Sequence, residues 1–185
     1  MGGFNFMRVN KIELLRKRSA SLSASASALR SAGARGVVAS ARSFLLGRVN
    51  LKSFIVSNEK AFQARLDSIS KRMVQQFPRG ARTNWGAARK VVNIFLRDIL
   101  YSRHLCCHFK FDKIEKWLEV PLDGDVAHCL RSEPKGKNLQ RWIGIKRLKS
   151  KTSKKYQDVA KVVAARLGIH PVDLDLIYWR SKRVK

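Results

Sequence analysis

Apolar residues recur at helical spacing from residue 58 onward, and this periodicity limits the possible folds more than any other feature of the chain. In the first such stretch the apolar positions are separated by three or four residues, which predicts a helix with one buried face. Asn58 or Ser57 is suited to cap its start, and Pro78 with Gly80 predicts its end. The residues on the predicted buried face are Phe62, Leu66, Ile69, Met73 and Phe77.

The same pattern predicts further helices along the rest of the chain. The stretch after Asn84 is apolar on most of its circumference, as expected of a central buried helix. An amphipathic helix is predicted over residues 154–167, with Gly168 as its stop signal. Short helices are predicted from Asp112, over residues 123–130 and after Pro171. No alternating strand pattern of useful length is present, so the sequence predicts an all-α fold.

The first 57 residues differ from the rest in composition. They are rich in Ser, Ala and Arg, and Glu13 is their only acidic residue. We therefore expect a basic, loosely packed extension over residues 1–57, partly disordered or weakly helical, that contacts phosphates non-specifically. A helical domain is expected over residues 58–185. Acid-poor, Arg- and Ser-rich N termini are also typical of organelle transit peptides, which leaves import into an organelle as a minor alternative.

The charge balance points to a polyanionic partner. The chain has 39 Lys and Arg against 13 Asp and Glu, a formal net charge of +26. Nucleic acid is the usual partner of so basic a protein, and an anionic membrane surface is the competing one. No apolar run reaches about 18 residues, so no membrane span is predicted. Three cysteines do not make a disulfide framework and favour a reducing compartment, hence a cytoplasmic, nucleoid-associated protein.

A second basic feature lies where the central helix is predicted to begin. Arg89 and Lys90 fall in its predicted first turn, where a positive charge opposes the helix dipole. Such cations are favourable if an anion binds at that helix end, because the exposed backbone N–H groups already favour a phosphate. The alternative is that both are solvated charges of a very basic protein.

Further along, residues 132–155 form a basic connection with an apolar island at Trp142, Ile143 and Ile145.

Three segments resemble the helix-hairpin-helix DNA glycosylases. The first, GAARKVVNIFL, resembles their hairpin and following helix, and the second, VPLDGDVAHCLR, resembles the segment that contains their catalytic Asp. The third, LGIHPVDLDLIYW, is similar to the last helix of the 8-oxoguanine glycosylase-lyases. The segments occur in the family's order. However, Ala88 replaces the second hairpin glycine, Asn84-Trp85 replaces the usual Leu-Pro, and the Lys90–Asp123 interval is longer than in familiar members.

The resemblance implies a base-excision enzyme that acts on double-stranded DNA. By its position in the motif, Asp123 would stabilise the positive charge that develops on the sugar, and Lys90 would be the amine nucleophile of an abasic-site lyase. As a helix N-cap, Asp123 also has a purely structural interpretation. The residues assigned to nucleic-acid contact are Trp85, Gly86, Arg89, Arg82 and Arg97.

No metal or cofactor is expected, and we expect a monomer. The iron–sulfur cluster of some members of this superfamily needs four Cys thiolates, and the chain has three cysteines. His104, Cys106, Cys107 and His108 are close in sequence, but adjacent cysteines cannot easily bind one zinc ion together. We interpret Cys106 and Cys107 as small buried thiols at a helix end.

Two functions therefore follow from the sequence. One is a DNA glycosylase that acts on a damaged base, with Asp123 and Lys90 as catalytic residues. The other is a non-enzymatic helical protein that grips the phosphate backbone with its hairpin. The distance between the Lys90 and Asp123 side chains separates the two, because the chemistry needs both groups in one cleft.

Overall fold

The computed structural model describes residues 10–29 and 34–179, and over these residues the chain forms helices and no strand. The predicted all-α fold is confirmed. Short 3-10 segments lie between several of the helices. The α-helices are α1 (Lys11–Ser23), α2 (Val37–Arg48), α3 (Glu59–Gln76), α4 (Trp85–Tyr101), α5 (Arg103–Phe109), α6 (Gly124–Ser132), α7 (Ser150–Leu167) and α8 (Leu174–Tyr178).

The predicted helix boundaries are set by side-chain and glycine caps. Asn58 Oδ1 accepts a hydrogen bond from the Ala61 N–H at 2.9 Å and so starts α3. The side chain of Asn84 starts α4 in the same way. Gly168 ends α7 in the left-handed conformation, with a φ of 69°. The α5 helix was not predicted, because its RHLCCHF sequence has no apolar periodicity.

The segment expected to be a loose extension is instead part of the fold over its described residues. Helix α1 packs along α4, and α2 packs against α1 and α3. The α1 contact uses small side chains, since Ser19, Ala20, Ser23 and Ala24 are all buried. Small residues let two helix backbones approach closely, so α1 needs no stripe of large apolar residues. The expectation for residues 1–9 and 30–33 lies outside the described residues.

The buried residues form two cores, which define two lobes. The first lobe contains α1–α5 and the 3-10 segment Phe111–Trp117, with aromatic side chains such as Phe62 and Phe95 at its centre. The second lobe contains α6–α8 and the segment before α7, with Tyr156 fully buried among aliphatic residues. Helix α4 belongs to both, because Val91 and Phe95 lie in the first core while Trp85 packs against the second. Among the described helices, none is long and apolar enough to cross a membrane.

Candidate functional site

Lys90 and Asp123 lie side by side in the folded chain. Their Nζ and Oδ2 atoms are 3.6 Å apart, although 33 positions separate them in the sequence. Lys90 lies in the second turn of α4, because this helix begins at Trp85, and its side chain is 13% exposed. Asp123 is the N-cap of α6, where Oδ1 accepts hydrogen bonds from the N–H groups of Asp125 and Val126. One oxygen of Asp123 therefore caps a helix, and the other faces the amine.

Arg97 and Asp175 extend this polar cluster along α4. The Arg97 guanidinium forms ion pairs with both Asp98 and Asp175. Burial raises the pKa of the Asp175 carboxyl, the nearby charge of Asp123 acts in the same direction, and Arg97 and Lys90 oppose it. Arg97 was predicted to contact nucleic acid. In the structure it balances two carboxylates instead, so it is not a spare cation for a phosphate.

Arg89 was also predicted to contact phosphate, and the structure places it in the interior instead. The residue is 5% exposed. Its guanidinium makes two hydrogen bonds to Glu119, at 2.9 and 2.8 Å, and one to Asp67 at 2.7 Å. Burial alone would raise the pKa of Glu119, but the charge and hydrogen bonds of Arg89, with a hydrogen bond from Asn93, hold it below its usual value. The arginine is therefore committed to an internal ion pair.

The other predicted contacts also differ from expectation. Gly86 is a buried residue within α4 rather than an exposed hairpin glycine. A Cβ atom at this position would overlap the Ile145 carbonyl oxygen and lie 2.7 Å from Leu148 Cβ, so the glycine permits a close approach of the chain before α7. Trp85 is half-buried under the Arg89 guanidinium. Of the five assigned residues, Arg82 is the exposed cation, and its Nε donates to the Phe77 carbonyl.

A cleft of about 370 Å³ lies between α3 and α7, with Trp85 and the Arg89–Glu119 pair in its wall. Several of its charged side chains pair with one another: Lys161 bonds Glu59, and Lys154 bonds Asp158. Neither Lys90 nor Asp123 lines it. The predicted catalytic pair therefore does not share this cleft with Trp85, which was predicted to contact nucleic acid.

Within the described part of the chain, a large cationic surface lies in a segment that was not assigned to nucleic-acid contact. Residues 134–157, hereafter the basic segment, contain nine Lys and Arg and no Asp or Glu. All nine are exposed. The sequence signal was present, since no other stretch combines this length and charge without an acid outside the N-terminal region. The nine cations are Lys135, Lys137, Arg141, Lys146, Arg147, Lys149, Lys151, Lys154 and Lys155.

The basic segment is held in a defined shape. The Tyr156 hydroxyl donates to the Gln140 carbonyl at 2.7 Å, and the Trp142 ring packs edge-on against Tyr156 with centroids 5.8 Å apart. Gly144 has a φ of 96°, a conformation that favours glycine. Arg141, Arg147 and Lys149 border one surface cavity of about 310 Å³ beside the first turn of α7. The segment thus presents its cations on a folded support.

The His and Cys residues of α5 show no metal-binding arrangement. Among residues 10–29 and 34–179, no group of three or more His, Cys, Asp and Glu side chains could hold a metal ion. His104 contacts Lys11, with 2.8 Å between Nε2 and Nζ. Cys106 is half-buried, and burial raises the pKa of its thiol. Cys107 is exposed, so the expectation that the thiols are buried is wrong for Cys107.

Comparison of the chain with protein-family models, with curated proteins and with solved structures finds no match.

Proposed function

We propose that this protein binds double-stranded DNA through the basic segment. The observation that carries the proposal is that nine exposed cations lie in one acid-free stretch, on a folded support. Lys and Arg that neutralise phosphates release condensed counterions, and this supplies most of the affinity of non-specific binding. The start of α7 adds to the effect, because it has no acidic residue in its first turn and no side-chain cap on its N–H groups.

The aromatic residues of the segment favour duplex over single-stranded nucleic acid. Proteins that bind single strands stack bases on exposed aromatic rings. Trp142 and Tyr156 are the two aromatic residues of the segment, and they pack against each other, with Tyr156 fully buried. Tyr156 is not accessible for stacking, and the half-buried Trp142 has part of its ring in contact with Tyr156, whereas nine exposed cations are placed to contact a phosphate backbone.

The test is charge reversal within the basic segment. A Lys146→Glu, Arg147→Glu, Lys149→Glu triple variant should lose duplex affinity by at least a hundredfold at moderate salt, measured by fluorescence anisotropy. The slope of log affinity against log salt should also become shallower by about 0.9 for each phosphate contact that is lost.

The matched control reverses three exposed cations of the first lobe, Arg103, Lys113 and Lys116, and so makes the same change in net charge. If binding depends on the basic segment, this control keeps most of the affinity. Equal losses in the two triple variants would contradict a localised interface, and a wild-type protein with no salt-dependent affinity for duplex DNA would contradict the proposal itself.

The Lys90–Asp123 contact favours a second candidate function, excision of a damaged base with abasic-site lyase activity. Removal of a base develops positive charge on the sugar, which a carboxylate such as Asp123 stabilises. A neutral Lys90 amine could attack C1′ of the sugar and break the bond to the base, which leaves and takes a proton from solvent, while Asp123 Oδ2 accepts the proton that the new ammonium loses. The sugar C1′–O4′ bond then breaks, Asp123 returns the proton to O4′, and the Schiff base to Lys90 is formed. The 3.6 Å separation puts both groups at one site.

Borohydride trapping tests this second function directly. Wild-type protein with a panel of lesion-containing duplexes and an abasic-site duplex should give a covalent adduct, and Lys90→Gln should give none. Asp123→Asn should keep the fold, because Asn caps helices nearly as well as Asp, while excision falls by orders of magnitude. If no substrate in the panel yields an adduct or excised base, the enzyme proposal is rejected and DNA binding is unaffected.

A further inference from the structure

One large apolar side chain of the basic segment is left in solvent. Ile143 is 54% exposed, and it is the only exposed large hydrophobic residue between residues 134 and 157. Its neighbours Trp142 and Ile145 are half-buried and pack against the second core. Isolated exposed aliphatic residues are common on protein surfaces, so exposure by itself carries no conclusion.

What distinguishes Ile143 is its setting. It borders the same surface cavity as Arg141, Arg147 and Lys149, so an apolar tip lies among three exposed cations. The residues on either side are fixed: the Trp142 ring packs against Tyr156, and Gly144 turns the chain with a φ of 96°. The backbone that carries Ile143 therefore loses little further freedom when the segment binds a partner.

We propose that Ile143 inserts between adjacent base pairs of the duplex bound by the basic segment, and that it unstacks them. The inference rests on the proposed DNA binding. Cations around the tip would hold the phosphates on both sides, while the branched aliphatic group enters the base stack. Apolar wedges of this kind partly unstack a base step and bend the duplex, and the unstacking cost is offset by the additional contacts of the bent DNA.

An anionic membrane is the other surface that a cationic patch with an apolar tip could meet. Membrane association scales with the apolar area that enters the lipid, and it usually relies on an amphipathic helix. Here one aliphatic side chain projects from a turn, and Trp142 is held back against Tyr156. The observations therefore favour a base step over a lipid interior.

The experiment uses the full chain and a series of duplexes with 2-aminopurine at successive positions, because this base becomes brighter when it is unstacked. At saturating protein, wild type should raise the fluorescence several-fold at one or more positions. Ile143→Ala should lose most of that rise, while its affinity measured by anisotropy falls by no more than about fivefold. Ile143→Leu should restore the signal.

Val162→Ala is the matched control. It also truncates a half-exposed aliphatic side chain, but this residue lies on α7 outside the basic segment. Val162→Ala should leave both fluorescence and affinity unchanged, and thermal unfolding checks that all variants fold.

Each other outcome has a definite meaning. Tight binding by wild type without a fluorescence rise, or a full rise with Ile143→Ala, overturns the wedge and leaves DNA binding standing. No binding of duplex DNA overturns both proposals. Binding to vesicles that contain phosphatidylserine, lost in Ile143→Ala without any change on DNA, would assign the tip to a membrane instead.

Discussion

Arg89 and the cations of the basic segment lie less than 70 positions apart in the sequence, but they differ in burial and in the number of carboxylates near them. Arg89 is buried and bonded to Glu119 and Asp67. The segment cations are exposed, and the stretch contains no carboxylate of its own. A buried arginine with two carboxylate partners stabilises the fold. Lys154 pairs with Asp158, but exposed cations such as Lys146 and Arg147 form no ion pair among the described residues and are available to a phosphate backbone. In a chain with a net charge of +26, the position of the 13 acids therefore decides which cations can bind a partner.

The largest expected effect is the loss of the buried ion pair. Arg89→Met leaves Glu119 buried without its partner, which should lower the free energy of unfolding by about 3–5 kcal/mol. Arg147→Met, the matched change in the basic segment, should shift it by less than about 0.5 kcal/mol. Urea unfolding measures both. The comparison fails if the two substitutions have similar costs, and an Arg89→Met, Glu119→Leu double variant should recover most of the loss.

A second substitution tests the packing that supports the basic segment. Gly86→Ala adds a methyl group where Ile145 and Leu148 lie against α4, and this overpacking should cost about 1–3 kcal/mol. Gly47→Ala is the control, since a Cβ atom there meets nothing within 4 Å. We also expect Gly86→Ala to weaken DNA binding, because it displaces residues 145–148. An unchanged free energy of unfolding would show that residues 145–148 do not pack closely against α4 at Gly86.

The two buried acids Glu119 and Asp175 should have opposite effects on how the free energy of unfolding changes with pH. The pKa of Glu119 is lowered on folding, so its contribution is present above its unfolded pKa of about 4.3 and is lost as the pH falls through the lower, folded value. The pKa of Asp175 is raised, so the cost of burying its charge disappears as the pH falls. Between about pH 6 and pH 3, Glu119→Gln should therefore lose less stability than wild type on acidification, and Asp175→Asn should lose more.

The smallest expected effect is that of a single cation of the basic segment. Lys146→Gln should weaken duplex binding roughly two- to fivefold at moderate salt and reduce the salt slope by about 0.9 if Lys146 contacts one phosphate. Lys113→Gln, on the first lobe, should do neither. An anisotropy titration at several salt concentrations measures both quantities. A slope unchanged by Lys146→Gln would remove this residue from the interface.

Local signals in the sequence predicted much of the fold. Asn58, Asn84 and Gly168 mark helix boundaries through contacts with residues only a few positions away, and the structure confirms all three. Helix α1 was missed, because small Ala and Ser residues form its buried face and give no strong hydrophobic pattern. Packing of such a face depends on α4, more than 60 residues away, and this partner is not visible in the local sequence.

The site residues follow the same rule: those marked by local sequence could be predicted, and those that depend on distant partners could not. The exposed, acid-free run of cations could be read directly from the sequence, although it was treated as a connection. The structural role of Arg89 could not be predicted from the sequence. It depends on an ion pair with Glu119, 30 residues further along, and the sequence does not show that these two side chains meet. The pairing of Lys90 with Asp123 was predicted from the order of the three motifs that resemble the glycosylases, and not from the residues next to either side chain.

Helix α4 contributes side chains to both cores, and this has a consequence for how the molecule opens. Fluctuations that detach only α1, or only α7, leave α4 packed on its other side. Its amide hydrogens at Val91, Val92 and Phe95, in the first core, should therefore exchange with solvent only when the first lobe itself unfolds, which is a slow class of opening. Amides in the exposed turn around Gly144, by contrast, should exchange within seconds. Native-state hydrogen exchange would therefore distinguish slowly exchanging amides of α4 from rapidly exchanging amides of the surface turn.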